Sequence, residues 1–367
     1  MVAPRMQWVT LLEEITVSNE WNRGSVRLTT LLLASIALGM VACTSEESPT
    51  GPSAAASPAR AAVKTYTAVD LGTLPGGRFS IATDINPAGQ VVGASGTDGG
   101  DHAFVWDKGV MTDLGTLGGA FSGAVAINPA GQVVGGSSTA TELGHAFMWD
   151  KGIMTDLGTL GGQFSSAQAI NPAGQVVGYS ETASGEQHGF LWAKGVMTDL
   201  GPMTPRGINP AGKIVGSFQP PGPTGRAFLW VKGVTTDLGT LGGNYAFASD
   251  INPAGAVVGL SSTAGNTTQH AFLWEKGVMT DLGTLGENFI LSYATGISPS
   301  GQVVGSSETA AEEEIRAFVW DKGVMTGLEP LDGGSFSRAQ NINPAGDVVG
   351  VSRTVSNQVH ATLWTRK

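Results

Sequence analysis

Residues 145–178 read HAFMWDKGIMTDLGTLGGQFSSAQAINPAGQVVG. The stretch contains short runs of apolar and small residues, and each run is closed by a turn signal. Asp150-Lys151-Gly152 follows HAFMW, Gly161-Gly162 follows IMTDLG, and Asn171-Pro172-Ala173-Gly174 separates SSAQAI from QVVGYS. Runs of this length between Gly, Pro and Asn predict β-strands. In Asn-Pro-Ala-Gly, proline sets φ for the first corner and glycine tolerates φ > 0 afterwards. Lys-Gly suits a two-residue hairpin. The repeating unit is therefore four strands, of the types SSAQAI, QVVGYS, HAFLW and VMTDLG in that order. Both faces of each are apolar or small, so each sheet is expected to be packed on both sides.

The unit recurs along the chain. Trp106, Trp149, Trp192, Trp230, Trp274, Trp320 and Trp364 occupy one position in it, at spacings of 43, 43, 38, 44, 46 and 44 residues. Four strands per ~40–45 residues is the pattern of a propeller blade. The array opens at Tyr66-Thr67-Ala68-Val69-Asp70, a fourth strand, and closes at His360-Ala361-Thr362-Leu363-Trp364, a third strand. These ends are complementary. The predicted fold is all-β: a seven-bladed β-propeller of four-stranded blades, the ring closed by the N-terminal strand pairing with the C-terminal blade. Closure leaves no open sheet edge inside the ring. A linear solenoid would not start and stop in complementary phase, and a membrane barrel needs strands of about 9–11 residues.

Composition agrees. Glycine makes up 54 of 367 residues, charged residues 14% and hydrophobic residues 41%. Such a chain is too apolar for ordinary disorder and too glycine-rich for a helical bundle. The net charge is -10 with no basic cluster, which argues against a nucleic-acid partner. The single cysteine, Cys43, excludes an intrachain disulfide and a zinc site built on several thiolates.

Residues 28–42 (LTTLLLASIALGMVA) are uncharged, follow Arg23 and Arg27, and are too short for a membrane span of about 20 residues. They fit the apolar part of a secretory signal. The segment ends Met40-Val41-Ala42-Cys43 and resembles a bacterial lipoprotein signal, which implies lipidation of Cys43. Residues 1–42 are read as a signal peptide with a mis-called N-terminal extension, initiation falling at Val26. Residues 43–65 are the lipidated cysteine and a Ser-, Ala- and Pro-rich linker. Residues 66–367 are the propeller. The expected location is the outer membrane or cell surface, with the periplasm or secretion as the alternative. The membrane is the one partner expected through the anchor, and the protein is expected to be a monomer.

The repeat resembles the HAF repeat family of bacterial extracellular proteins. His102-Ala103-Phe104 with Trp106, His145-Ala146-Phe147 with Trp149, and DLGTLGG at 113–119 and 156–162 carry the resemblance. It spans Tyr66 to Trp364 and implies an exported repeat protein without an established activity. Arg226 and Arg316 stand where the family pattern has histidine, Gly327 replaces the fourth-strand aspartate, and the unit after Trp192 is shortened to Pro202-Met203-Thr204-Pro205-Arg206.

All five histidines share one position in the unit, and an aspartate lies opposite in the next strand. A catalytic histidine would occur once, so imidazole donating to carboxylate across a hairpin is the expected arrangement. The tryptophans are expected as wedges between blades, with carbohydrate stacking as the rival. The lysines of the Lys-Gly hairpins are expected to form a solvated, charge-balanced rim. Loops joining second to third and fourth to first strands share one face, where the copies vary. Phe79, Phe121, Phe164, Tyr245 and Phe336 follow the Gly-Gly pair on that face and, with Phe289 in an insertion, are the candidate ligand-binding residues for a glycan or protein; the rival reading is that they plug gaps between blades. No catalytic set, metal site or cofactor motif is present in the sequence. The expected function is non-catalytic binding or scaffolding; the alternatives are an extracellular propeller enzyme acting on glycans, or a purely structural surface repeat.

Overall fold

The computed structural model describes residues 65–367 apart from 219–224, 287–289 and 310–313. Cys43, the apolar segment before it and Phe289 lie outside the described residues. Seven antiparallel sheets of four strands each form the ring. Blade 1 comprises Ser80–Ile85, Val91–Gly96, Asp101–Asp107 and Val110–Asp113. Blades 2 to 6 repeat that order along the chain. Blade 7 takes Ser337–Ile342, Val348–Arg353 and Val359–Arg366 from the C-terminus and Tyr66–Asp70 from the N-terminus. Tyr66 pairs with Arg366 and Asp70 with Thr362, so the closure is the one expected from the phase of the ends.

First strands of consecutive blades touch one another and form the inner wall of the ring. Alternate residues of one strand serve two cores, because side chains in a strand alternate between its faces. Val91 and Phe104 of blade 1 pack with Val349, Ala361 and Leu363 of blade 7. Val92 and Ala103 of the same strands pack with Ala124, Val133 and Phe147 of blade 2. The glycine of Val-Val-Gly allows the inner strand to press in. A Cβ at Gly93 would collide with the Ile81 carbonyl, and one at Gly178 would lie 2.8 Å from the Phe190 ring. The inner strand bulges at this point, between Ala82 and Asp84 in blade 1.

Strand limits differ from expectation in two places. The fourth strand ends at aspartate, not at the glycine two residues on, because Asp113 Oδ1 accepts the Gly115 N–H at 2.7 Å and turns the chain. Blade 3 departs from this, its fourth strand running Val196–Gly201. In blades 2, 3 and 5 the inner strand reaches back through the Gly-Gly pair, as in Gly161–Ile170.

Polar residues tie blade to blade. Asn86 Oδ1 accepts the N–H groups of Ala88 and Gln90 within its turn, and its Nδ2 donates to the Asn128 carbonyl of blade 2. The same link runs from Asn128 to Asn171, Asn209, Asn252 and Ser298. Ser122 at the head of an inner strand accepts the Ala103 N–H of the preceding blade and donates to the Gly115 carbonyl. These groups are almost fully buried, so their bonds avoid the cost of unpaired polar atoms.

The fully buried wedge is the phenylalanine of HAF, not the tryptophan. Phe104, Phe147, Phe190, Phe228, Phe272 and Phe318 are at 0% exposure, while the tryptophans in their strands are only partly buried against the same cores. Blade 7 inverts this. Thr362 stands at the phenylalanine position, and Trp364 is fully buried with its Nε1 donating to the Glu329 carbonyl at 2.7 Å. Phe147→Ala is therefore expected to cost ~3–5 kcal/mol. Trp149→Ala should cost clearly less despite the larger side chain, and Trp364→Ala should match the phenylalanine. Urea midpoints of the three variants check this; equal losses for Phe147→Ala and Trp149→Ala would refute it.

Candidate functional site

Three constellations of polar or aromatic side chains recur around the ring. The first is the histidine–aspartate pair. His102 Nδ1 lies 2.7 Å from Asp113 Oδ2, and His145, His188 and His270 meet Asp156, Asp199 and Asp281 in the same way. His360 of the last strand meets Asp70 of the first at 2.7 Å, so the pair also fastens the closure. Asp113, Asp156, Asp199 and Asp281 each face their histidine across a hairpin, and Asp70 plays the same part through the N-terminal strand. Since the carboxylate only accepts, Nδ1 is the protonated ring nitrogen. Arg226 keeps the pattern with Asp237 at 3.0 Å. Arg316, which faces Gly327, turns instead to Glu329 at 2.8 Å and Glu314 at 3.3 Å. Burial pushes the Asp199 and Asp281 carboxyls up, but the histidine and glycine N–H bonds outweigh it and hold both below the ordinary value. Repeated in five blades, the pair stitches third to fourth strands.

The second constellation lies two residues before the first residue of the Asn-Pro-Ala-Gly turn, where the inner strands converge. Four of the seven positions are small: Ala126, Ala169, Gly207 and Gly296. The others are Asp84, Asp250 and Asn341. Asp84 Oδ1 accepts from Ile85 N–H and from Asn341 Nδ2, and its Oδ2 accepts from Ile127 N–H of the next blade. Asp250 bridges Ile251 and Ile297 likewise. Both carboxylates are thus occupied as staples between blades. They sit at the opposite end of the ring from the variable loops, so they do not form an acid pair at that mouth.

Third come the aromatics after Gly-Gly. The five within the described residues are half-buried, one per blade. Phe164 stacks on Tyr179 with ring centroids 5.9 Å apart. Phe336 lies between the guanidinium groups of Arg338 and Arg353, at 5.0 and 5.4 Å. Phe164 and Phe336 thus pack on side chains of their own blades. Tyr245 borders a concave surface.

That surface is a groove of about 410 Å³ on the variable face, lined by Gln187, Pro202, Met203, Thr204, Ser217, Phe218, Gly225 and Tyr245. Its origin is the shortened fourth unit. In blade 3 the Gly-Gly segment pairs with the end of the second strand, Gly161 with Thr182. In blade 4 that segment is missing, and the ladder begins directly with Met203 against Phe218. The altered strand also brings Pro205 against blade 3, where Gly189 replaces the alanine of HAF. A Cβ there would lie 2.7 Å from Pro205 Cδ. Sequence reasoning found the deletion but not the groove; the Pro205 and Gly189 pairing was its available signal.

Solved structures share this architecture. The β-propeller domain of the Trilobed protease from Pyrococcus furiosus, which has an open velcro topology, matches with a TM-score of 0.55 at 11% identity, over 79% of this chain and 97% of that one. Oligogalacturonate lyase from Vibrio parahaemolyticus matches with a TM-score of 0.57 at 10% identity, over 82% and 96%. Prolyl endopeptidases match at 0.57 and 12%, over 78% of this chain and 50% of theirs. These likenesses show the propeller fold. No family model and no curated relative matches the sequence.

Burial raises the Asp84 carboxyl from 3.8 to about 6, against the pull of its N–H bonds. The folded protein holds that proton more tightly than the unfolded chain, so stability falls as pH rises from about 4 through about 6, by on the order of 3 kcal/mol. Asp199 and Asp281 act oppositely, and their contribution is lost only as pH falls below the ordinary carboxylate range. Unfolding midpoints between pH 4 and 7 should therefore slope downward in the wild type and flatten in Asp84→Asn. An unchanged slope in that variant would rule out Asp84 as its source.

Proposed function

We propose that the protein is an exported, membrane-tethered propeller of the HAF-repeat type that binds an uncharged polar ligand, a glycan, in the groove above blade 4 and does not transform it. The observation carrying this reading is the groove's lining. It combines an aromatic phenol, Tyr245, with the amide of Gln187 and the hydroxyls of Thr204 and Ser217, and among the described residues no carboxylate, histidine, lysine or arginine lines it. Aromatic faces suit the apolar faces of sugar rings, while amides and hydroxyls match their hydroxyl groups. Its volume lies in the range of small-molecule sites, about 300–1,000 Å³. Hydrolysis or elimination would need an acid, a base or a metal beside the reacting bond. The secretory-type segment and Cys43 support export and anchoring, and the repeat motifs support the family.

The purified protein on an array of cell-wall, capsular and plant glycans is expected to retain a small set of neutral oligosaccharides. Tyr245→Ala and Gln187→Ala should each weaken retention by about tenfold or more without changing the unfolding midpoint. Retention unaffected by both variants would remove the ligand from the groove. Release of shortened or unsaturated sugars from a retained glycan would overturn the non-catalytic reading.

A further inference from the structure

The two faces of the ring carry opposite charge. Antiparallel strands place the Lys-Gly hairpins, the Asn-Pro-Ala-Gly turns and the C-terminal residues on one face, and the variable loops on the other. All eight described lysines lie on the hairpin face: six in Lys-Gly hairpins, Lys213 after a turn, and Lys367. With Arg366 they make nine cations, against five carboxylates outside the inner strands: Asp107, Asp150, Glu275, Asp321 and Asp347. The variable face carries four arginines and fifteen carboxylates among the described residues outside the inner strands. The rim expected to be charge-balanced is thus positive on a protein whose net charge is -10.

Apolar side chains accompany these lysines. Val110, Ile153, Val196, Val234, Val278 and Val324 each follow a Lys-Gly pair and are 63% to 69% exposed. Single exposed aliphatics need no explanation. Six at one position of six consecutive blades, each two residues from a lysine, give a ring of amphipathic tips. The lysines are held there by backbone geometry: Lys108, Lys151, Lys194, Lys232, Lys276 and Lys322 all adopt φ of 48° to 51°. In blade 7 the chain ends take the place of the hairpin, and Lys367 N–H donates to the Thr65 carbonyl at 2.9 Å. The chain therefore enters the propeller from this same face. Only 21 residues separate Thr65 from Cys43. The hairpin face is thus the one nearest Cys43 along the chain.

We propose that the hairpin face docks flat on an anionic lipid bilayer, its lysines over the headgroups and its valine and isoleucine side chains at the interface, so that the groove over blade 4 points away from the membrane. Interfacial binding of this kind adds buried apolar area to attraction for anionic lipid. The tether sets which membrane is near, and to that extent the proposal rests on the anchoring reading; the charge asymmetry and the ring of tips do not depend on it.

The test uses the full chain carrying Cys43→Ser and its co-sedimentation with vesicles of phosphatidylcholine containing about one-third phosphatidylglycerol, or none. Every variant keeps the same N-terminal segment, so differences report on the ring. Replacing Lys108, Lys194 and Lys276 by glutamine should weaken partition to the anionic vesicles at least tenfold. Replacing Val110, Val196 and Val278 by serine should weaken it several-fold. Replacing Arg226 and Arg353 by glutamine on the opposite face should leave it unchanged, and salt near ~0.5 M should abolish the preference for anionic lipid. Equal partition of the lysine variant and the parent overturns the proposal, as does equal loss from both faces. Equal lysine-dependent binding to soluble heparin would assign the face to a polyanion instead. Glycan retention by these variants reads the groove separately, so either result can fail without the other.

Discussion

A blade of this protein cannot bury itself. Its strands are apolar or small on both faces, and neighbouring residues such as Val91 and Val92 belong to different cores on either side. Each blade is completed only by two neighbours, and the seventh only by the first strand of the chain. That requirement explains why glycine recurs in Val-Val-Gly. The inner strand's bulge brings the Ile81 carbonyl onto Gly93, with Phe104 directly across the ladder. Any side chain at that glycine would push the inner strand toward the axis and open both adjoining cores. Close packing of this kind tolerates little change of volume.

Hydrogen bonds then fix what packing brings together. Buried Asn86 donates and Ser122 accepts across blade boundaries, and Asp84 and Asp250 accept backbone N–H groups of the next blade nearer the axis. Buried polar groups that are fully paired specify one arrangement of the elements around them. Here they set the rotation of each blade against the next. The apolar clusters alone would leave that rotation looser. At the seam, the Trp364 indole and the His360–Asp70 pair do this work where the regular pattern is interrupted.

Much of this was legible in the residues. The blade count, the strand order, the closure and the histidine–aspartate pairs follow from motif spacing, because each depends on local sequence and on the phase of a repeat. What was not legible depends on neighbours in space. Asn86 reads as a turn residue, which it is, but its second bond reaches a carbonyl 42 positions away. Phenylalanine and tryptophan alternate on one face of the same strand, and only the distance to the next blade decides that Phe147 is sealed and Trp149 is not. Asp84 looks like any polar residue before Ile-Asn-Pro, yet the narrowing of the inner wall buries it. The groove needed two facts together: a deletion in one unit, and no segment among the described residues that makes good the loss.

The shortened fourth unit has one more consequence. Seven nearly identical units would present seven nearly identical surfaces, and a ligand suited to one would suit them all. Removing a few residues from a single copy breaks that symmetry. The shortening occurs in one copy, so a ligand seated in the groove beside it would be held at one bearing around the axis. A repeat protein can thus acquire an individual site by loss of sequence, leaving the other six units to supply rigidity.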